Sequence, residues 1–203
     1  MTPAPLSILI RTHNRPWLFR RCIESVIKQT MQPEWVIICT EDIKDETYVQ
    51  PYKCHNITSI AAPEIKKSPY HYNLYCNELK KYVTKVHGHF FMFLDDDDFL
   101  VDNTAIERIA PILEQNKKSL VFVQMLRDTH RKPSDSLIDR RLFVSGTIGL
   151  PCIFVPGLFR GTAHISDKDN GDHEWMSKLK KKIPSIFVKQ VFVNSPKRNY
   201  GKS

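Results

Sequence analysis

The sequence predicts an α/β fold with a mostly parallel central sheet and helices on both faces. Two observations support this prediction. Short apolar runs of strand length alternate along the chain with stretches in which apolar residues recur at helical spacing. The runs are continuously apolar, as strands are when both faces of a sheet are covered. With 203 residues the chain has the length of one domain, and we expect a single domain over residues 1–203.

The first predicted elements are a strand, a helix and a second strand. Residues 6–10 form an apolar run, and Pro16 fits the first position of the helix that follows. Residues 35–40 form the second strand, which should pair in parallel with the first because a helix connects the two. Residues 57–62 are a further strand candidate in a stretch that prolines interrupt.

The alternation continues in the rest of the chain. Apolar residues recur at steps of three and four in residues 71–86, which predicts a helix that ends at Gly88. Further on, the pattern predicts strands at residues 89–94, 120–125 and 187–193, and helices at about 104–114 and 172–182. Residues 127–171 lack a dominant period. In a sheet of this class, ligands bind beyond the carboxyl ends of the strands.

The basic residues are concentrated in the second half of the chain. Residues 1–110 contain 13 Lys and Arg against 14 Asp and Glu, whereas residues 111–203 contain 17 against 8. This asymmetry predicts an acidic partner for the second half, either nucleic acid, a phospholipid surface or an anionic acceptor. A solvated basic surface explains the charge equally well. The sequence indicates no stable protein partner.

The amino-terminal sequence and the cysteines bear on the compartment. Arg11 interrupts the first apolar run, so that neither a signal peptide nor a membrane span is expected there. The five cysteines are odd in number and contain no C-x-x-C pair, which favours reduced thiols. We therefore expect a cytoplasmic protein, either free or peripheral at a membrane surface.

Four consecutive aspartates, residues 95–98, follow the apolar run before them. In an extended backbone Asp95 and Asp97 point to one side and Asp96 and Asp98 to the other. Adjacent anions repel one another, and a divalent metal ion is the natural compensating charge. Carboxylate oxygens suit Mg²⁺ or Mn²⁺, and such an ion can bridge to a diphosphate. A solvated acidic turn that caps the next helix is the alternative interpretation.

Two segments near the amino terminus resemble a known family. Residues 6–16, LSILIRTHNRP, look like the opening strand and turn of family-2 glycosyltransferases with the Rossmann-like GT-A fold, and residues 22–30, CIESVIKQT, look like the helix that follows. Residues 93–98 are similar to the D-x-D segment of that family. The resemblance implies that Asp97, together with Asp95, holds the metal ion, Mn²⁺ or Mg²⁺. It also implies that a nucleotide-sugar donor is bound by Thr12, Asn14, Arg15, Asp95 and Asp96.

A third segment, residues 170–179 with the sequence NGDHEWMSKL, resembles the late acidic motif of the same family. The resemblance implies that Asp172 is the catalytic base, with Glu174 as the substitute candidate. A carboxylate there can take the proton from an acceptor hydroxyl as its oxygen attacks the anomeric carbon, which inverts the configuration. Capping of a helix by Asp172 is the alternative.

Three further residues are candidates for contact with the donor. The family usually has an Asp after its second strand that reads the donor base, and here Glu41 or Asp42 takes the equivalent place. Asn73 lies on the helix before the aspartate run, where the corresponding helix of similar enzymes approaches the donor. An amide on the helix surface is the alternative for Asn73.

Together these features predict an inverting, metal-dependent glycosyltransferase that moves a sugar from a nucleotide-diphosphate sugar to an acceptor hydroxyl. The basic half predicts an anionic acceptor: a glycan, a lipid-linked phosphate, or a hydroxylated base in DNA, as some viral enzymes use. Residues 1–100 would form the donor half and residues 101–203 the acceptor half. Two alternatives are a non-catalytic nucleic-acid or membrane-surface binding domain and a sugar-phosphate nucleotidyltransferase. The latter class typically has a Gly-rich loop after the first strand, which residues 11–16 lack.

Overall fold

A computed structural model describes residues 2–63, 68–84 and 89–196 of the chain. In this part of the chain, strands and helices alternate as predicted. The strands are β1 (Ala4–Thr12), β2 (Pro33–Thr40), β3 (Ile57–Ala61), β4 (Phe90–Asp95), β5 (Phe99–Leu100), β6 (Leu120–Arg127), β7 (His130–Lys132), β8 (Ile153–Pro156) and β9 (Ser185–Asn194). The helices are α1 (Pro16–Ile27), α2 (Glu46–Val49), α3 (Tyr72–Lys81), α4 (Ala105–Gln115), α5 (Asp135–Asp139) and α6 (Gly171–Lys180).

The strands form a mixed sheet in the order β3-β2-β1-β4-β8-β6-β9-β5, with β7 paired to β6. Strand β1 pairs in parallel with β2 and β4, and β2 pairs in parallel with β3. Strand β8 is antiparallel to both of its neighbours, β4 and β6, and β9 is parallel to β6. The predicted α/β fold class is confirmed, and the parallel pairs are those of β3-β2-β1-β4 and of β6-β9.

The core lies on both faces of the parallel strands. In β1, Ile8 is opposite Val36 of β2 and Met92 of β4, and all three side chains are buried. Helix α1 covers one face with four buried residues at helical spacing, namely Phe19, Cys22, Ile23 and Val26. Removal of this apolar area from water is the main force that holds the helix on the sheet.

Strand β8 was not predicted from the sequence. It lies between β4 and β6, and all four of its residues are buried. The run is too short to show a period, and the prolines before it and at its end, Pro151 and Pro156, suggest a loop. The predicted helix at residues 71–86 also ends earlier than expected, at Lys81. The end that the sequence predicts for it, including Gly88, lies outside the described residues.

The direction of the strands determines where side chains meet. Because β8 is antiparallel to both β4 and β6, strand β6 runs in the same direction as β4. Strand β9 is parallel to β6 and has this direction too. The carboxyl ends of β1, β2, β4, β6 and β9 therefore lie at one edge of the sheet. Ligand sites of α/β sheets are found at such an edge. In the described ranges, no helix has the length and apolar character needed to cross a bilayer.

Candidate active site

A cavity of about 600 Å³ opens at this edge of the sheet. Six of the residues that line it are acidic and three are arginines, although the whole chain carries a net charge of +8. The cavity is therefore a place for a cation. Its lining residues are Arg11, Arg15, Glu41, Tyr72, Asn73, Asp95, Asp97, Asp98, Met125, Arg127, Gly149, Leu150, Pro151, Asp169, Asn170, Asp172, Ser195 and Pro196.

Three aspartates at the end of β4 converge on one point of the cavity. Asp95, Asp97 and Asp98 each offer a carboxylate oxygen, and these oxygens lie within 4.8 Å of one another. The prediction that Asp98 points away from Asp95 and Asp97 is wrong. Strand β4 ends at Asp95, and the N–H of Asp98 donates to the carbonyl of Asp95 at 2.9 Å, which closes a turn. The alternation of an extended strand is lost in that turn.

Two arginines partly balance the charge of these aspartates. Arg11 Nε donates to Asp95 Oδ1 at 2.8 Å, and the Arg11 guanidinium lies 4.5 Å from the centre of the Tyr72 ring. Arg15 Nη1 lies 3.8 Å from Asp97 Oδ2. Carboxylate oxygens are hard ligands, and three of them converge here. The donor set therefore fits a divalent ion such as Mg²⁺ or Mn²⁺.

Asp96 points away from the cavity, as predicted, into the protein. Its carboxylate is fully buried, accepts from Thr12 Oγ1 at 2.9 Å, and lies 2.5 Å from Arg15 Nη2. The Thr12 hydroxyl is also 2.9 Å from the hydroxyl of Tyr48. Burial raises the pKa of Asp96 to about 7. This network anchors the aspartate turn to the end of β1.

Asp172 lies at the start of α6 and lines the same cavity. Its Oδ1 accepts from the backbone N–H of His173 at 2.7 Å, so that the predicted capping contact is present together with exposure to the cavity. Burial raises the pKa of Asp172, and the charge of Asp95 adds to the rise. Gly171 lets the start of α6 lie close to Ser166, because Ser166 O occupies the space that a Cβ of Gly171 would need. A raised pKa suits a carboxylate that takes up a proton near neutral pH.

Glu174, the substitute base, has a different environment. It is paired with Lys168 at 2.9 Å and with Lys178 at 3.0 Å, and it accepts from Ser166 Oγ at 2.9 Å. Hydrogen bonds from the two lysines lower the pKa of Glu174 to about 2. Its side chain is not among the described residues that line the cavity.

The donor-binding candidates divide into two groups. Arg15, Glu41, Asn73 and Asp95 line the cavity, whereas Thr12, Asn14, Asp42 and Asp96 are not among its described lining residues.

Glu41 and Asn73, which both line the cavity, also contact neighbouring residues. Glu41 Oε2 lies 3.3 Å from His71 Nε2. The Asn73 amide donates to the carbonyl of Ser166 at 3.0 Å and to that of Lys168 at 3.3 Å, so that it holds the segment before α6.

Asn14 and Asp42 belong instead to the turn network that surrounds Asp45. The Asn14 backbone N–H donates to Asp45 Oδ1 at 2.9 Å, and Asn14 has a φ of 50°, in the left-handed region that Asn tolerates. Asp42 Oδ1 accepts from the N–H of Lys44 at 2.9 Å and caps a short 3₁₀ turn.

Several cavity residues were not predicted from the sequence. Arg11 could have been found from the sequence, because it lies near the end of the strand pattern, directly before Thr12, and pairs with Asp95 of β4. Met125 and Arg127 could not be found in this way, because they reach the cavity only through the unpredicted strand β8 between β4 and β6. Leu150 and Pro151 come from the stretch without a dominant period.

A cavity at the carboxyl ends of parallel strands is the place where enzymes of the α/β class bind their ligands. The sequence model of Glycosyl transferase family 2 matches residues 7–166, and the chain belongs to this family. The predicted family is therefore confirmed. A comparison with curated protein sequences finds no match.

Solved structures with the same fold include two glycosyltransferases. TarS 1–349 of S. aureus, in complex with UDP-GlcNAc, superposes with a TM-score of 0.75 at 16% identity, over 96% of this chain and 59% of TarS 1–349. The mannosyltransferase PcManGT from Pyrobaculum calidifontis, in complex with GDP-Man and Mn²⁺, superposes with a TM-score of 0.66 at 13% identity, over 98% of this chain and 59% of PcManGT. The chain thus spans about three-fifths of these structures, and at this identity they show that it has the GT-A fold.

Proposed function

We propose that the chain transfers a sugar from a nucleotide-diphosphate sugar to an acceptor hydroxyl, with inversion and with the help of a divalent metal ion. One observation carries the proposal: the carboxylates of Asp95, Asp97 and Asp98 converge in the same cavity that Asp172 lines. The two ends of a displacement reaction are then both provided for. A metal ion held by the aspartates would stabilise the leaving group, and Asp172 would take the proton from the incoming hydroxyl.

The aspartates at the end of β4 would hold Mn²⁺ or Mg²⁺. When bound, such an ion supplies positive charge to the diphosphate leaving group. Arg15 lies beside Asp97 and Asp96 and lines the cavity, so that its guanidinium can also contact a phosphate oxygen. The Mn²⁺ in PcManGT supports this proposal for the present chain.

Asp172 would act as the general base. Its raised pKa favours uptake of the proton from the acceptor hydroxyl while the oxygen forms its bond to the anomeric carbon. The bond from that carbon to the diphosphate breaks in the same step, which inverts the configuration. Glu174 is a poor substitute, because its pairs with two lysines stabilise the carboxylate and make it a weak base.

The second half of the chain would bind the acceptor. Met125, Leu150 and Pro151 form an apolar part of the cavity wall, and Arg127 adds a positive charge at the end of β6. An anionic acceptor fits this wall: an anionic glycan, a lipid-linked phosphate, or a hydroxylated base in DNA, whose phosphates carry the charge. Residues 1–100 as the donor half, residues 101–203 as the acceptor half, and a cytoplasmic or membrane-peripheral location stay predictions.

A donor screen tests the proposal. The purified chain is titrated with UDP-, GDP- and other nucleotide sugars in the presence and absence of Mn²⁺, and heat of binding is followed by calorimetry. We expect one donor to bind in a Mn²⁺-dependent manner, and products to be detected by mass spectrometry with candidate acceptors. Asp97→Asn should abolish the Mn²⁺ dependence.

Asp139→Asn is the matched control, because Asp139 lies on α5 and pairs with Lys189 outside the cavity. This control should bind the donor like the wild type. Absence of binding for every nucleotide sugar with Mn²⁺ would contradict the proposal and favour a non-catalytic binding domain.

A further inference from the structure

A second pocket, of about 390 Å³, lies beside the carboxyl-terminal half of α3 and the chain that follows β8. Its described lining shares no residue with the candidate active-site cavity and includes no acidic residue. Four of its eight lining residues are basic, namely Lys80, Lys81, Arg160 and His164. The pocket therefore has the opposite charge to the candidate active site.

Lys80 is a buried cation in this pocket, with 3% of its surface exposed. Its Nζ donates to the carbonyl of Ala163 at 2.8 Å and lies 5.3 Å from the centre of a Trp175 ring. Among the described residues no carboxylate forms an ion pair with it. A buried lysine is normally paired with an acidic group. Burial lowers the pKa of Lys80 to about 8, so that it still carries its charge at neutral pH.

Arg160 is the second unbalanced cation. Its Nη1 is buried and has no hydrogen-bond partner in the described part of the chain. Lys81 differs, since it is paired with Glu78 at 2.6 Å. The ammonium group of Lys80 and the guanidinium group of Arg160 repel each other in this pocket unless an anion lies between them.

The wall of the pocket is held in place by Asn77. Its amide donates to the carbonyl of Ile165 at 2.8 Å, and its Oδ1 accepts from the Ile165 N–H at 3.0 Å. Trp175 Nε1 also donates to the carbonyl of Ala163, at 3.2 Å. The backbone of the segment that carries Arg160 is therefore fixed to α3 at Ile165 and to α6 at Ala163.

We propose that this pocket binds a phosphate group, with Lys80 and Arg160 as its two charged contacts. Phosphate oxygens accept charge-assisted hydrogen bonds from both side chains, and the guanidinium can bind two of them at once. The volume exceeds that of a phosphate ion, and Leu158 at the rim is 53% exposed. A phosphate ester whose carbon part contacts Leu158 fits both features. This site is separate from the glycosyl-transfer site and does not depend on the proposed function.

Calorimetric titration of the metal-free chain with inorganic phosphate, at constant ionic strength set with chloride, tests the proposal. We expect phosphate to bind and Arg160→Gln to weaken the binding by about tenfold or more, since a hydrogen bond between charged groups is lost. Lys80→Met should have a similar effect. Arg20→Gln removes an exposed arginine on α1 and should leave binding unchanged.

Arg127→Gln shows whether phosphate binds in the candidate active site instead, because Arg127 lines that cavity. This variant should bind phosphate like the wild type. Thermal unfolding of each variant establishes that it is folded. The source of the phosphate is distinguished by sedimentation with phosphatidic acid vesicles against phosphatidylcholine vesicles. Sedimentation that depends on Arg160 indicates a lipid headgroup, and its absence indicates a soluble ester. If phosphate does not bind, or binds equally to wild type and Arg160→Gln, the proposal is wrong.

Discussion

Arg11 and Asp95 occupy paired positions at the ends of the parallel strands β1 and β4, and their side chains form an ion pair of 2.8 Å. The pair lies between the core and the cavity, since 9% of the Arg11 side chain and 17% of the Asp95 side chain are exposed. Arg11 is therefore a fixed positive charge beside the aspartates that we propose as metal ligands. It stabilises the fold at Asp95 while it competes with a metal ion for the same carboxylate.

Arg11→Met should reveal both effects. Loss of the guanidinium removes the ion pair with Asp95, and the free energy of unfolding should fall by about 2 to 3 kcal/mol. Because the aspartates are then more negative, Mn²⁺ should stabilise the variant more than it stabilises the wild type. Urea unfolding with and without Mn²⁺ measures both quantities. Arg20→Met is the control, because Arg20 forms an exposed pair with Glu24 and its removal should leave the stability nearly unchanged. Equal stabilisation by Mn²⁺ in wild type and Arg11→Met would argue against competition at Asp95.

Asp172→Asn should stop glycosyl transfer without loss of donor binding. A general base contributes about 100-fold to 10,000-fold to the rate, and the amide cannot accept the proton. The hydrogen bond from His173 to the side-chain oxygen can persist in the variant, so that α6 should remain folded. Turnover is measured with the donor found by calorimetry, and the dissociation constant of that donor is measured in parallel.

Glu174→Gln is the matched control for Asp172→Asn, since the two residues lie in the same first turn of α6. We expect it to keep most of its activity and to lose some stability, because its contacts with Lys168 and Lys178 are removed. A larger loss of turnover in Glu174→Gln than in Asp172→Asn would exchange the roles of the two carboxylates.

The sequence was sufficient to predict, for a physical reason, the edge of the sheet at which the aspartates lie. Strands β1, β2 and β4 are covered on both faces, and this burial is written in the sequence as continuous apolar runs. Asp95 follows the last of these runs directly, so that its place at the carboxyl edge could be predicted. Asp98 could not be oriented in the same way, because a single backbone hydrogen bond to Asp95 replaces the strand by a turn.

The part of the cavity that Met125 and Arg127 line could not be predicted, because it depends on contacts between distant parts of the chain. Strand β8 has only four residues, and its place in the sheet follows from its pairing with Phe90 and Phe91 of β4 and with residues of β6. No local pattern encodes that pairing. Met125 and Arg127 join the aspartates in one cavity only because β8 sets the direction of β6.

Arg127→Gln should weaken binding of the acceptor without affecting binding of the donor. Arg127 is exposed at the end of β6 and lines the cavity beside Met125. If the acceptor is anionic, its KM should rise by about tenfold while kcat changes little, since a hydrogen bond between charged groups is lost in the bound state and the transition state alike. Arg131→Gln is the control, because Arg131 lies on β7 and faces Asp135 at 3.6 Å. An unchanged KM in Arg127→Gln would indicate an acceptor without charge at this position.

The buried Lys80 should make stability depend on pH in a direction that is unusual for a lysine. Its pKa in the folded protein is about 8, because burial disfavours the charged form, whereas an unfolded chain has a lysine pKa of about 10.4. The folded state therefore loses this proton first. The cost of the buried charge is present at neutral pH and disappears as the pH rises above about 8. Within the described ranges, the other titratable groups around Lys80 are Cys76 and Lys81 on α3, and Arg160 and His164 across the pocket.

Lys80→Met removes this contribution and provides the measurement. Between about pH 7.5 and about pH 9.5, the stability of the wild type relative to the variant should rise by about 1 to 2 kcal/mol, as determined by urea unfolding. The variant should be at least as stable as the wild type at neutral pH, since an apolar side chain of similar length replaces an unpaired charge. The carbonyl of Ala163 keeps its hydrogen bond from Trp175. Groups that titrate in both proteins cancel in the difference. A stability difference that stays constant over this range would mean that Lys80 has an ordinary pKa and that its charge is already balanced.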